Sequence, residues 1–173
     1  MKLTTALDGK IKIWDEVLMG TNFDFVANAV SKLEYSLGEK DEAETPPSGL
    51  ISEMDVDSGI YKLFTPILDS IEELKDLYCD RAYVNLFHEK EDGYFHNDYC
   101  VQTLLFYCNA YWDMNNGGET KFVEFTDDNY PTMIAVPPVP NRLVMFPGDL
   151  GHTATGLRNQ KRFTLAFKME ANK

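Results

Sequence analysis

From residue 81 onward, the sequence consists of short β-rich runs separated by turn signals. These signals are Asp92-Gly93, Asn115-Asn116-Gly117-Gly118, the proline-rich segment from Pro137 to Pro140, and Pro147-Gly148. Many short strands without intervening helices are typical of a closed sandwich or jelly roll. The sequence therefore predicts a mainly β core over residues 81–170.

The first 80 residues predict a helical region that supports this core. Alternating apolar residues predict a first strand over Lys10–Leu18. An apolar stripe at helical spacing then predicts a helix from Phe23 to Leu37, with Thr21 or Asn22 as its N-cap. We expect the apolar face of this helix to cover one sheet of the sandwich.

A second helix is predicted from Gly59 to Tyr78, where large apolar residues recur at helical spacing. Pro66 is expected to shorten or kink the start of this helix, because proline lacks a backbone N–H. Between the two helices, the segment Gly38–Gly49 contains two prolines and several acidic residues. It predicts a loop.

The composition is that of a globular protein, and we expect residues 1–173 to form one domain. Hydrophobic residues make up 44% of the chain, and the formal net charge is −12. This charge argues against binding to a nucleic-acid backbone, which needs a basic face. The sequence shows neither a signal-peptide core nor a run long enough to span a membrane, so we expect a cytoplasmic protein. Cys79, Cys100 and Cys108 lack metal-finger spacing and predict reduced thiols.

His96-Asn97-Asp98 is the strongest chemical signal, together with His152, which follows 54 residues after Asp98. Side chains at positions i and i+2 of a strand leave on the same side, so His96 and Asp98 can reach one metal ion. Two imidazoles and one carboxylate can occupy one face of an Fe(II) ion and leave positions for a chelating co-substrate and O₂. The same ligands also serve catalytic zinc, so they do not decide the metal alone.

Arg162 lies ten residues after His152, in a stretch that alternates like a strand and places Thr164 on the same face. An arginine side chain offers a planar, permanently charged fork for a carboxylate, and a hydroxyl two residues on adds a donor. A metal triad with a carboxylate anchor nearby indicates a site for a dicarboxylic keto acid. A zinc hydrolase needs no such anchor, so Arg162 favours iron.

Between residues 81 and 168, the chain resembles the iron(II)/2-oxoglutarate-dependent dioxygenases, most closely their prolyl-hydroxylase-like branch. Several motifs occur in the order of that family. They are Tyr83-Val84-Asn85-Leu86, the His96-x-Asp98 pair, Thr103 to Asn109 followed by Trp112, Gly117-Gly118-Glu119-Thr120-x-Phe122, Arg142 to Phe146, and His152 with Arg162-x-Thr164. Cys108 stands where the family usually has leucine, a change that should matter little to the chemistry.

The resemblance implies a fold, a set of cofactors and a reaction. The fold is a double-stranded β-helix, a cupin-like jelly roll with N-terminal α-helices against one sheet. His96, Asp98 and His152 would bind Fe(II), and Arg162 would hold the C5 carboxylate of 2-oxoglutarate, with Tyr107, Thr164 and Thr120 lining the same pocket. The reaction would use O₂ to hydroxylate a substrate with release of succinate and CO₂, and the branch often uses ascorbate.

The substrate implied by the resemblance is a prolyl residue of a peptide or protein, and a free amino acid or another small molecule remains open. Two other classes of function also remain open. One is a cupin-like metalloenzyme that does not use 2-oxoglutarate, and the other is a jelly-roll binding module without catalysis. We expect His88 to be an exposed loop residue. Tyr94 and Trp112 either pack or contact substrate. Tyr83 and Asn85 face one way on the strand before the metal motif, where either could contact the co-substrate or the substrate.

Overall fold

The computed structural model describes residues 2–38, 44–125 and 127–172. The N-terminal part contains β1 (Lys2–Ala6), β2 (Ile11–Asp15), α1 (Gly20–Val30), β3 (Ser36–Leu37), β4 (Leu50–Glu53) and α2 (Gly59–Leu68). The remainder contains β5 (Leu77–Phe87), β6 (Gln102–Tyr107), β7 (Thr120–Phe125), β8 (Pro131–Val136), β9 (Leu143–Pro147), β10 (His152–Ala154) and β11 (Arg162–Ala171). Short 3₁₀ turns cover Glu72–Leu74 and Met114–Asn116.

The strands form two antiparallel sheets. The large sheet has eight strands in the order β1-β2-β9-β6-β11-β5-β4-β3, and the small sheet has the order β10-β7-β8. Isolated bridges at Asp92–Thr155 and His96–His152 place the segment before β6 along the free side of β10. The fold is the mainly β double-stranded β-helix that the sequence predicted.

The central strands of the large sheet, β9, β6 and β11, are buried on both faces, which explains why they lack a simple apolar–polar alternation. One face meets the small sheet across a core that includes Leu105, Phe122 and Phe146. The opposite face carries Phe106 and Phe167 towards the helices. Successive side chains of a strand point to opposite faces, so each central strand supplies one row to the helix-side core and one to the inter-sheet space.

Helix α2 seals the helix-side core through Phe64, which is fully buried. The Phe64 ring packs against Phe106 with a centroid distance of 4.8 Å and against Phe167 at 5.2 Å. Ser58 caps the helix, because its side chain accepts a hydrogen bond of 3.1 Å from the backbone N–H of Tyr61. The helices therefore cover one sheet, as the sequence predicted.

The predicted extent of the first helix was wrong. Helix α1 ends at Val30 rather than at Leu37, and its N-cap Met19 makes no side-chain hydrogen bond, so neither Thr21 nor Asn22 caps it. Ser36 and Leu37 instead form β3, which pairs with β4. The apolar residues after Val30 pack on the core from non-helical backbone, which periodicity cannot distinguish from another helical turn.

The second helix is also shorter than predicted. It ends at Leu68, and Pro66 lies near its C-terminal end rather than at its start. Ile71 and Leu74 continue the apolar spacing and are buried, but they lie in a turn rather than in the helix. Strand β5 already begins at Leu77. Since four strands lie before residue 77, the N-terminal region is less helical than the sequence predicted. The expectation of a single domain stays a prediction.

Other sequence expectations fall on smaller features. Strand β2 occupies the centre of the first predicted strand. The predicted loop at Gly38–Gly49 lies partly outside the described residues, which omit 39–43. All three cysteines are unpaired. No helix among the described residues combines the length and apolarity required to cross a membrane.

Replacing Phe64 with alanine should destabilise the protein by about 3–5 kcal/mol, because it removes a buried aromatic ring and leaves a cavity between α2 and the large sheet. Phe25→Ala is the matched control, since Phe25 lies on α1 and is 51% exposed. Denaturant unfolding followed by circular dichroism measures both changes. Equal free-energy losses for the two variants would contradict this account of the core.

Candidate metal and co-substrate site

Backbone hydrogen bonds bring the two histidines together at the edge of the small sheet. The N–H of His96 donates to the carbonyl of His152 at 3.0 Å, and the N–H of His152 donates back to His96 at 3.0 Å. Such a reciprocal pair sets opposing antiparallel residues side by side. The ring centroids are consequently 4.5 Å apart.

Asp98 is positioned by the turn that follows β9. Its backbone N–H donates to the carbonyl of Gly148 at 2.8 Å. A Cβ atom at Gly148 would lie 2.2 Å from the carbonyl oxygen of Cys100, so only glycine allows the two backbones to approach this closely. The Pro147-Gly148 turn therefore has a packing role at the site.

Both histidines direct their Nε2 atom towards Asp98. The Nδ1 atom of His96 lies 2.9 Å from the carbonyl of Tyr94, and the Nδ1 atom of His152 lies 2.9 Å from the carbonyl of Leu150. A carbonyl only accepts, so each Nδ1 carries the proton and donates, which leaves Nε2 with a lone pair. This second contact is the usual way in which a protein orients a histidine for metal binding.

The possible ligand atoms of His96, Asp98 and His152 all lie within 4.8 Å of one another. The Nε2 atoms are 3.6 Å and 3.4 Å from the Asp98 carboxylate oxygens, for His96 and His152 respectively. The three residues that the sequence singled out as ligands thus form one cluster. Two imidazoles and a carboxylate suit Fe(II) with open positions, and they suit catalytic zinc as well.

The protonation states fit metal binding. Burial lowers the pKa of His152 to about 4, so its imidazole is neutral near pH 7. Burial alone would raise the pKa of Asp98, but contacts with His96 and the charge of Lys168 hold it well below its usual range. The cluster therefore offers a neutral imidazole at His152 and an ionised carboxylate at Asp98, the forms that a divalent cation needs.

Arg162 lines the same narrow pocket as the two histidines. Its guanidinium is buried, donating from Nε to the carbonyl of Gly118 at 2.9 Å and from Nη2 to Thr120 Oγ1 at 3.0 Å. The Tyr107 hydroxyl donates to the same Thr120 oxygen at 2.8 Å, and the guanidinium carbon lies 5.4 Å from the Tyr107 ring centre. The structure therefore brings together Arg162, Tyr107 and Thr120 as the sequence predicted.

Arg162 forms no ion pair within residues 2–38, 44–125 and 127–172, and the charge of Glu119 acts on it from beyond ion-pair distance. Burial lowers the pKa of Arg162, but an arginine stays charged in proteins. Thr164 Oγ1, which lines the same pocket, is buried and also has no hydrogen-bond partner. A buried cation beside an unused hydroxyl fits an anionic ligand that accepts hydrogen bonds.

Two connected spaces surround the cluster. The narrow pocket is lined by His96 and His152 and also by Arg162 and Thr164. A wider cavity of about 440 Å³ opens in front of His96 and Asp98. Tyr83, Asn85 and Lys168 line both spaces. The arrangement can hold a small elongated anion in the narrow pocket and a larger molecule in the cavity.

The remaining candidates divide between the site and its surroundings. Tyr83 and Asn85 face the site from β5, as expected from the alternation. His88 is exposed, as predicted. Trp112 is half-buried and donates from its indole to the carbonyl of Gly117 at 2.9 Å, so it supports the turn before β7. Tyr94 is 43% exposed and contributes its backbone carbonyl to His96.

Sequence reasoning missed two residues that contact Asp98. Lys168 forms an ion pair with Asp98 Oδ2, and the Thr103 hydroxyl donates to the same oxygen at 2.5 Å. The alternation of β11 could have revealed Lys168, because it shares a face with Arg162 and Thr164. Thr103 shares a face of β6 with Tyr107 in the same way.

No protein-family model matches the chain, and a sequence comparison with curated proteins finds no significant match. Solved structures match it well. A prolyl-4-hydroxylase from Pseudomonas putida aligns with a TM-score of 0.72 over 94% of this chain and 93% of that one, at 15% identity. A prolyl hydroxylase from Trichoplax adhaerens, in complex with a hypoxia inducible factor peptide fragment, gives 0.73 over 94% and 84%, at 15% identity.

A third similar structure is HygX from Streptomyces hygroscopicus with nickel, 2-oxoglutarate and hygromycin B bound. It aligns with a TM-score of 0.68 over 94% of this chain and 83% of that one, at 11% identity. The chain has the fold of the 2-oxoglutarate and Fe(II) oxygenases. These neighbours include a peptide complex and a complex with a small molecule, so the shared fold does not decide the substrate class.

Replacing His96 or His152 with alanine should abolish binding of a divalent cation, because each change removes one of three ligands, and should leave the fold intact. His88→Ala is the matched control, since it removes the third histidine of the chain, which is exposed. Isothermal titration with Mn(II), alongside thermal unfolding, measures both properties. Metal affinity equal to the parent's in His152→Ala would remove this residue from the ligand set.

Proposed function

We propose that this protein is an Fe(II)- and 2-oxoglutarate-dependent dioxygenase that hydroxylates its substrate. The observation that carries the proposal is the buried Arg162 guanidinium, which forms no ion pair among the described residues and lines the same pocket as His96 and His152, two members of the candidate metal cluster. An isolated buried cation is costly, and a ligand carboxylate would compensate it.

Each end of the pocket matches one end of 2-oxoglutarate. His96, Asp98 and His152 would hold the metal ion, next to the space for the keto-acid end. Arg162 holds the C5 carboxylate, and Thr164 supplies the hydroxyl that otherwise has no hydrogen-bond partner. Tyr107 and Thr120 complete this end by fixing the guanidinium and each other.

The bound metal and co-substrate supply the oxidising power for hydroxylation by O₂, with release of succinate and CO₂. The residues of the chain orient the metal ion and the co-substrate and exclude water from them. Phe146 packs against the His152 ring at a centroid distance of 4.6 Å, and Phe122 lies at 6.1 Å. These rings keep water from one side of the site, which strengthens the electrostatic interactions inside it.

For the substrate, we propose a peptide or protein, with a prolyl residue as the acceptor. Support comes from the wide cavity in front of His96 and Asp98 and from the structural neighbour whose complex contains a peptide. A small molecule is the second candidate, because another neighbour contains hygromycin B. Substrate-stimulated succinate release from proline-containing peptides and from free amino acids distinguishes the two classes, and the same assay with and without ascorbate tests its use.

Two rival functions give Arg162 no ligand carboxylate to bind. A cupin-like metalloenzyme that does not use 2-oxoglutarate needs no carboxylate anchor, and a jelly-roll binding module needs no metal ion. In both cases the burial of an arginine without an acidic partner would bring only a cost in stability. The site is better explained if a ligand carboxylate completes it.

Arg162→Ala should reduce the affinity for 2-oxoglutarate on the order of 30- to 4,000-fold, which corresponds to about 2–5 kcal/mol for truncating one half of a buried charge pair. Metal affinity should barely change, because Arg162 does not touch the ligands. Arg162→Lys should restore binding only in part, since lysine keeps the charge and loses the fork. Isothermal titration of the Mn(II)-loaded protein with 2-oxoglutarate measures these affinities.

Arg158→Ala is the control for this test, since Arg158 is an exposed arginine close in sequence. A visible charge-transfer band on anaerobic addition of 2-oxoglutarate to the Fe(II) form is expected for the parent and for Arg158→Ala. An unchanged 2-oxoglutarate affinity in Arg162→Ala would move the anchor elsewhere and favour the cupin-like alternative.

Thr164→Val should change stability and binding in opposite directions. Without ligand, the variant should be more stable by about 1 kcal/mol, because it removes a buried hydroxyl that lacks a partner. Its affinity for 2-oxoglutarate should fall by about 3- to 10-fold, the value of one hydrogen bond. Thermal unfolding and titration test the two signs, and a loss of stability together with unchanged affinity would refute the assigned role.

A further inference from the structure

Lys168 is a second buried cation on the strand that carries Arg162. Counting by twos along β11 from Arg162 places Thr164, Ala166 and Lys168 on the face that points into the site. The Lys168 side chain is only 14% exposed, and it lines both the narrow pocket and the wide cavity. It therefore lies where the metal cluster, the co-substrate pocket and the cavity meet.

The contacts of Lys168 tie its charge to the metal cluster. Its ammonium pairs with Asp98 Oδ2, and this is its only ion pair within the part of the chain that the structure describes. The Tyr83 ring centre lies 5.8 Å from the ammonium nitrogen. Arg81, the other cation lining the cavity, pairs with Glu53 at the rim. Lys168 thus acts on the site through the carboxylate of one metal ligand.

Asp98 then has to serve two cations. Its Oδ2 atom accepts from Thr103 and pairs with Lys168, so Oδ1 is the oxygen left for a metal ion. We propose that Lys168 weakens metal binding at Asp98 and strengthens binding of the dianionic co-substrate. The inference rests on the proposed function for its second half.

The physical reason is the sign of each interaction. A unit positive charge held on the far side of a shared carboxylate repels a divalent cation, and the repulsion is strong where water is excluded. The same charge attracts a dianion that enters the narrow pocket, which Lys168 lines beside the histidines. Lys168 consequently disfavours binding of the metal ion alone and favours binding of the metal ion together with the co-substrate.

The test replaces Lys168 with glutamine, which loses the charge and keeps an N–H group that can donate to Asp98. Lys168→Gln should bind Mn(II) about tenfold or more tightly than the parent and, in its Mn(II) form, bind 2-oxoglutarate about tenfold or more weakly. Lys168→Arg keeps the charge and should resemble the parent in both titrations. Lys161→Gln, which changes an exposed lysine just before β11, is the matched control.

A role confined to holding Asp98 in place predicts a different pattern. Lys168→Gln would then bind Mn(II) no more tightly than the parent, and Lys168→Met, which cannot donate at all, would bind it more weakly still. Either result overturns the proposal. Lys168→Met also provides the charge test if the glutamine variant does not fold, with thermal unfolding as the check, and it should then bind Mn(II) more tightly than the parent.

The two halves of the experiment separate this proposal from the proposed function. The Mn(II) titration needs no co-substrate, so it tests Lys168 even if the protein does not use 2-oxoglutarate. A parent protein whose Mn(II) form does not bind 2-oxoglutarate would refute the proposed function. A parent that binds it, with affinities unchanged in Lys168→Gln, would refute only the role of Lys168.

Discussion

The reciprocal backbone hydrogen bonds between His96 and His152 are the contact on which the site depends. They join two segments that are far apart in sequence, and they set the distance between the imidazoles before any metal ion is present. The turn at Gly148 adds Asp98 to the same place through a third backbone hydrogen bond. Because backbone contacts hold all three ligands, the cluster is preorganised by the fold rather than by the metal.

The second constraint is electrostatic. Strand β11 lies in the interior of the large sheet, between β6 and β5, and it buries Arg162 and Lys168 on one face. Burial of a charge is tolerated only where something compensates it. Asp98 compensates Lys168 in an ion pair, while Arg162 forms no ion pair among the described residues. This asymmetry supports the proposal that an anion binds at Arg162 and a metal ion at the histidines.

The sequence predicted the candidate site better than the elements that surround it. His96 and Asp98 lie between β5 and β6 rather than on one strand, so the strand placement predicted for them was wrong, although their possible ligand atoms do meet. The alternation from Arg162 to Thr164 is a local property of β11, and it holds in the structure. The ends of the helices were predicted wrongly because the apolar residues after Val30 and after Leu68 continue the helical spacing. These residues are buried although they lie in turns and strands. Burial in the core requires an apolar side chain, but it does not require a helical backbone.

The sequence by itself determined the β-rich class of the core and singled out three candidate ligands and a candidate carboxylate anchor. Those features depend on residue type and on spacing along the chain. Only the tertiary structure decided that Thr120 accepts hydrogen bonds from both Tyr107 and Arg162, and that Lys168 and Thr103 share one oxygen of Asp98. Strand order and register bring these residues together, and they arise from long-range packing that local spacing does not encode.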